Sequence, residues 1–310
     1  MNEDALSRLS IPASELIRFR ELKFLHCEPR FARSRPCRSA IFLLVTCALS
    51  LVTELVAAEP PAKGIQDNSF FVEEAYNQEP GVVQHIINVP AFFAPGDNEV
   101  SFSFTQEWPI FSQLHQFSYT ILYTATEHER GFEDVRLNYR LQALTEGEHR
   151  PAFAPRFSLV TPAGDASKGF GHDRLGYEIN LPFSKVVSDR VTVHFNAGGS
   201  FFPDVKGRDV WNYNFGASAI YAVTETFNLM LESVAGWEQD LDPGSNLNQA
   251  ESVLISPGAR YAFNLPGDLQ IVAGAAVPVG LTSDSPEWGL FFYLSFEHLF
   301  VRNAHSVLKP

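Results

Sequence analysis

The sequence predicts an all-β protein: an antiparallel up-and-down transmembrane β-barrel of about 12 strands, following a cleaved N-terminal signal peptide. Segments that alternate apolar and polar residues recur along the chain with turns between them. Aromatic residues recur ten positions apart on one face, and the connections between segments alternate between short and long.

The first element is a leader. Arg30, Arg33, Arg35 and Arg38 precede the apolar run AIFLLVTCALSLVTELVA, and Val56, Ala57 and Ala58 supply the small residues that a signal peptidase requires. Residues 1–58 therefore read as a leader and signal peptide cut before Glu59. Glu54 inside the run, with Pro60 and Pro61 after it, argues against a retained helical anchor. Removal of that leader takes away 8 basic and 6 acidic residues and leaves 15 against 30, a net charge of −15 instead of −13. Such an excess of carboxylates excludes a nucleic-acid partner, because phosphate binding needs clustered Lys and Arg. All 3 cysteines, Cys27, Cys37 and Cys47, lie in the leader, so no disulfide, zinc site or cysteine nucleophile is available to the rest of the chain. That usage suits passage through an oxidising compartment.

From Gly81 onward, segments begin near residues 82, 99, 114, 133, 150, 170, 190, 211, 226, 250, 268 and 287. DVRLNYRLQAL is the clearest: Val135, Leu137, Tyr139 and Leu141 leave one face of a strand while Arg136, Asn138, Arg140 and Gln142 leave the other. VTVHFNAGGSFF and WNYNFGASAIYAV follow the same period. Mean hydropathy of −0.06 is the average that such alternation produces, and it excludes a bundle of membrane helices. Trp211 and Tyr221 lie ten residues apart on one face, as do Phe227 and Trp237. Ten steps of ~3.3 Å at a tilt of about 40° climb roughly 25 Å, the height of a lipid-facing band between aromatic girdles. The turns near Lys185–Asp189, Thr224–Thr226 and Pro266–Asp268 are short, whereas PAGDASKGFGHD, PDVKGRD and EQDLDPGSNLNQAE read as longer connections at the opposite end. Short periplasmic turns and longer outer loops belong to outer-membrane barrels. The last segment, EWGLFFYLSFEHLF, places Trp288, Leu290, Phe292, Leu294, Phe296 and Phe300 on one apolar face, with a tail of residues 301–310 behind it.

Two stretches, IQDNSFFVEEAYNQEPGVVQHI (residues 65–86) and LHQFSYTI (114–121), resemble the outer-membrane transporter family of the MetA pathway of phenol degradation. The resemblance runs loosely from Ile65 to Phe300. It implies a barrel in the outer membrane of a Gram-negative type bacterium, with membrane lipid around it and small hydrophobic or aromatic molecules as solutes.

Residues opposite the lipid face should line the interior. They include Arg136, Arg140, Arg156, Glu178, His194, Glu232, Arg260 and Glu297. Two readings stay open for them: mutual satisfaction of charges in a narrow lumen, or a conducting pathway whose groups set solute preference. The segment 59–80 before the barrel (81–300) is dense in carboxylates. Asp67, Glu73, Glu74 and Glu79 could form a plug or gate that meets the lumen arginines, or the segment could cap the barrel floor or pair beside the first strand.

Catalytic patterns are weak. His115 and Ser118 fall on opposite faces of one strand and cannot act as base and nucleophile. The histidines have no metal-ligand spacing, DLDPGSNLN misplaces its glycine for a calcium loop, and no GxSxG or phosphate-cradling motif occurs. The expectation is an outer-membrane channel or transporter without cofactor or metal. A structural or adhesive barrel and a secreted, soluble β-sandwich binding an apolar ligand are the alternatives.

Overall fold

The computed structural model describes residues 65, 68–95, 98–241 and 246–300. The leader and signal peptide, Asp67 and the tail 301–310 lie outside the described residues.

Sixteen strands form one sheet: β1 (Val82–Phe93), β2 (Glu99–Ile110), β3 (Ser112–Thr126), β4 (Arg130–Phe132), β5 (Val135–Leu141), β6 (Ala152–Phe153), β7 (Arg156–Thr161), β8 (Gly176–Asn180), β9 (Phe183–Ser188), β10 (Val191–Val205), β11 (Arg208–Ala222), β12 (Phe227–Leu241), β13 (Leu247–Leu265), β14 (Leu269–Ala276), β15 (Val279–Gly280) and β16 (Trp288–Leu299). Several are halves of one wall strand. Proline has no N–H to give the ladder, and Pro155 separates β6 from β7, Pro182 separates β8 from β9, and Pro278 separates β14 from β15. Joined across these breaks, and with β4 continuing into β5, they make 12 wall strands, each antiparallel to its neighbours.

The sheet closes on itself. β16 pairs with β1 from Val82↔Leu299 to Phe93↔Trp288, and β10 pairs with β11 from Val191↔Tyr221 onward. Closure satisfies every wall strand on both sides and leaves no exposed edge, the condition for a sheet to cross a membrane. A sandwich would need a second sheet, and the described residues form only this one.

Side-chain alternation sorts the two faces as the period demands. Phe102, Phe195, Phe215, Leu229, Leu231, Phe263 and Phe292 point outward and remain 45–53% exposed. Large apolar groups bared so regularly around a closed wall form a surface for lipid rather than water. Trp211 and Tyr221 stand on the same outer face. Along β16, Trp288 and Phe292 are exposed, while Phe291, Tyr293 and Ser295 are buried inside.

The strand positions depart from expectation in three places. The connections around PDVKGRD and EQDLDPGSNLNQAE are shorter than their polarity suggested: β10 continues to Val205 and β11 resumes at Arg208, while β12 continues to Leu241 and β13 resumes at Leu247. The extensions keep an apolar inner face, because Val205, Val210 and Leu241 pack with Phe202 and Val160 in one buried cluster, so polar neighbours in sequence do not mark the end of the ladder. The segment expected near residue 170 begins instead at Gly176, because residues 162–175 fold as a loop with a single 3-10 turn, Ala166–Lys168, and with Gly169 and Gly171 at positive φ. The return between β5 and β6, residues 142–151, is longer than the other turns at the end of the barrel where β1 begins and β16 ends.

Candidate functional site

The interior is occupied by the chain's own N-terminal segment. Residues 68–78 run through the bore and make no ladder with the wall; side chains of the wall bind their backbone instead. The Glu232 carboxylate accepts from the N–H groups of Phe70 (3.2 Å), Phe71 (3.0 Å) and Val72 (3.1 Å). Asn196 Oδ1 accepts from Glu73 N at 2.8 Å while its Nδ2 donates to the Glu73 carbonyl at 2.7 Å. Ser184 Oγ accepts from Ala75 N, Gln142 Oε1 from Asn77 N and Gln116 Oε1 from Gln78 N. A buried N–H without a partner costs about as much as a lost hydrogen bond. An irregular segment is therefore tolerated inside a barrel only if the wall supplies acceptors at each step, and this wall does. The contacts run in order from β13 and β12 through β10, β9 and β5 to β3, so the segment crosses the bore from one wall to the opposite one.

Three arginines organise the charged side of the lumen. Arg140, 2% exposed at its side chain, donates Nε to Asn77 Oδ1 (2.8 Å), Nη1 to Glu73 Oε1 (3.1 Å) and Nη2 to the Tyr76 carbonyl (2.7 Å). Arg156 pairs with Glu73 at 2.9 Å and with Glu178 at 2.8 Å, and Arg136 reaches Glu178 at 3.3 Å. Asn180 Nδ2 donates to the same Glu73 carboxylate at 2.7 Å. Glu73 thus sits between two guanidiniums and an amide, each of its oxygens engaged. Desolvated ions need this density of partners, because a buried charge left unpaired is strongly destabilising.

The opposite side is apolar. Phe70 stacks on Phe291 with ring centroids 5.3 Å apart and tilts against Tyr293 at 5.4 Å, while Phe71 meets Phe291 at 4.7 Å. Around these rings lie Ile86, Ile220, Met230, Ala262 and Val272, all inward-facing. Gly274 and Gly258 make room for Phe70: a Cβ at either position would stand 2.6 and 2.7 Å from its ring.

Of the sequence-predicted lumen residues, Arg136, Arg140, Arg156 and Glu178 come together around Glu73. Glu232 binds the segment's backbone from β12, and Arg260 on β13 donates Nη1 to the Asn68 carbonyl at 2.6 Å. His194 is buried on β10, its Nδ1 2.6 Å from Ser184 Oγ. Glu297 faces inward on β16 level with Gln84 and Gln270, away from the arginine cluster. In the N-terminal segment, Glu74 is buried and its carbonyl accepts from Arg140 at 3.2 Å, while Glu79 lies where the segment turns into β1, its carbonyl accepting from Val82 N. The amides Gln116, Gln142, Asn180 and Asn196 were not singled out from the sequence. Their inward parity is the signal the sequence carries for them.

Outside this centre, His115 points outward, its Nδ1 2.7 Å from the Tyr139 hydroxyl, while Ser118 faces in and meets Asn138. Among the described residues no three His, Cys, Asp or Glu side chains are grouped to hold a metal ion, and residues 242–245 of the DLDPGSNLN loop lie outside them. At the outer mouth a vestibule of about 1050 Å³ is bordered by Glu99, Glu129, Glu133 and the loop 162–175. That loop is tied down at Asp134, which accepts from the N–H groups of Gly164 (3.0 Å) and His172 (2.9 Å), and the His172 ring lies flat on Phe202 at 3.6 Å.

No protein-family model matches the chain, and no curated protein sequence matches it either. Among solved structures, an outer membrane channel from Pseudomonas putida F1 superposes with a TM-score of 0.57 at 12% identity, covering 76% of this chain and 100% of that one. The NanC porin (TM-score 0.43, 7% identity, 69% of this chain and 100% of that one) and the KdgM porin (0.40, 9%, 70% and 99%) are more distant. The chain therefore has the fold of a closed, 12-stranded outer-membrane-type barrel.

Proposed function

We propose that this protein is an outer-membrane channel whose bore is plugged by residues 68–80 of its own chain, and that it passes small hydrophobic or aromatic solutes. The observation that carries the reading is the clamp on the plug: its backbone is held by wall side chains rather than by strand pairing. Side-chain hydrogen bonds can be exchanged a few at a time, whereas a ladder would have to be unzipped along its length, so this arrangement suits a segment that moves. The lipid-facing exterior supports a membrane setting, and the fold shared with the Pseudomonas putida channel supports a role in passage. The half-apolar bore favours solutes with an apolar body, in keeping with the resemblance to the MetA-pathway transporters. Export through a signal peptide ending at Ala58 belongs to the same reading.

Conductance of the refolded chain from Glu59 in a planar bilayer tests it. The expected record is a largely closed channel with brief openings, becoming steadily open in a variant lacking residues 65–80. Insertion of both forms without any conductance would rule out a channel.

A further inference from the structure

Beside the plug the barrel keeps a cavity of about 460 Å³, within the range of small-ligand sites. One register row crosses its wall: Ile86 pairs with Thr105, Thr105 with Thr120, and Thr120 with Arg136, on four successive strands. At ~4.8 Å per strand the row spans about 14 Å and grades from a hydrocarbon through two hydroxyls to a guanidinium. The two hydroxyls bond each other at 2.9 Å. Phe71 of the plug borders the same space.

Arg136 differs from its two neighbours. Arg140 and Arg156 spend their donors on Glu73 and on other groups of the plug and wall, whereas Arg136 donates only Nε, to Glu178. Its terminal nitrogens make no hydrogen bond with any described residue, and its side chain is 32% exposed at the cavity. A guanidinium with its fork free matches a carboxylate in two-point geometry. The protein already holds one carboxylate on guanidiniums of the same wall, where Glu73 takes one bond from Arg140 and one from Arg156.

We propose that this cavity is a binding site for a small monocarboxylate with an apolar body, its carboxylate on Arg136 and its body toward Ile86 and Phe71. The proposal rests on the reading of the barrel as a channel for small, partly apolar solutes, and it narrows that class to acids.

Calorimetric titration of the refolded chain in detergent with benzoate, benzyl alcohol and benzylamine tests it, since the three share one ring and differ in charge. Benzoate should bind saturably, at least about tenfold tighter than the alcohol, and the amine should not bind. Arg136→Gln should abolish the preference and Arg136→Lys should restore part of it; Glu178 keeps Arg156 in both variants, and heat-dependent gel migration reports that each is folded. Equal affinity for alcohol and acid, an unchanged Arg136→Gln titration, or no saturable binding of benzoate to the wild-type chain would overturn the proposal. The titration needs no ion flow. A barrel that binds benzoate yet never conducts would sink the channel and spare the site, and a conducting barrel indifferent to benzoate would do the reverse.

Discussion

The two walls that hold the N-terminal segment differ in what they add to its backbone hydrogen bonds: one adds ion pairs, the other stacked rings. On the side of β3 to β10, Arg140, Arg156, Asn180 and Asn196 hold Glu73 and the backbone around it through directed, charge-assisted bonds. On the side of β12 to β16 and β1, Phe70 rests on Phe291 and Tyr293 in a recess made by two glycines. The polar wall fixes register, because each bond accepts one partner at one place. The apolar wall adds undirected area to the directed bonds that Glu232 and Arg260 make from β12 and β13. A peptide anchored by both is positioned by the first and adheres through the second, so loss of either should release it in a different way.

The largest effect should come from the polar wall. Arg140→Ala removes the donor to Asn77, Glu73, Glu74 and Tyr76 together, leaving Glu73 on Arg156 and Asn180 alone. Breaking a buried pair from one side costs about 3–5 kcal/mol, and the proposed channel should turn from mostly closed to mostly open in bilayer recordings. Unchanged gating would mean that the arginines hold the barrel and not the plug.

A contrast within β12 comes next. Glu232 and Leu229 belong to the same strand, one inside and one outside, so Leu229→Arg puts a cation toward lipid. It should cost about 2–4 kcal/mol near the midplane and reduce insertion, as read by heat-dependent gel migration after folding into vesicles. Normal insertion would contradict the assignment of faces.

The apolar wall should respond more mildly. Gly274→Ala places a methyl against the Phe70 ring, an overpacking worth roughly 1–3 kcal/mol. Brief openings should become more frequent without a steady open state, because Glu73 still holds register.

The smallest effect concerns the outer mouth, where neither wall reaches. Burial raises the pKa of Asp134, but the hydrogen bonds from the His172 ring and from the His172 and Gly164 amides outweigh it and hold the carboxyl below its usual range. A depressed carboxyl stabilises its surroundings fully above the ordinary value of about 3.9 and loses that contribution as pH falls through the lower, folded value. Amide exchange of residues 162–175 should therefore increase only below about pH 4, and Asp134→Asn should show the faster exchange already at neutral pH.

Much of this molecule was legible in the amino-acid order. Period-two alternation located the wall strands within a few residues, since one face had to be apolar throughout. It also identified Arg140, Arg156 and Glu232 as inward-facing, because parity along a strand leaves no other choice. The meeting of Glu73 with two arginines, 67 and 83 positions away along the chain, was one of two readings and could not be selected locally. The polar stretch PDVKGRD hides the continuation of the ladder because the apolar residues that anchor it, Val205 and Val210, are single positions among charged neighbours. The amides Asn196 and Gln142 have inward parity, but parity alone does not tell that they bind another segment's backbone.

Hydrogen–deuterium exchange at the amides of residues 70–78, in the refolded barrel at neutral pH, tests the central claim most directly. The account predicts protection well above that of a free peptide, strongest at Val72, Glu73 and Ala75, with protection lost across the whole segment in Arg140→Ala while strands β10 to β13 stay protected. Exchange at free-peptide rates in the wild-type chain would mean that the segment does not occupy the bore, and the plug would have to be abandoned.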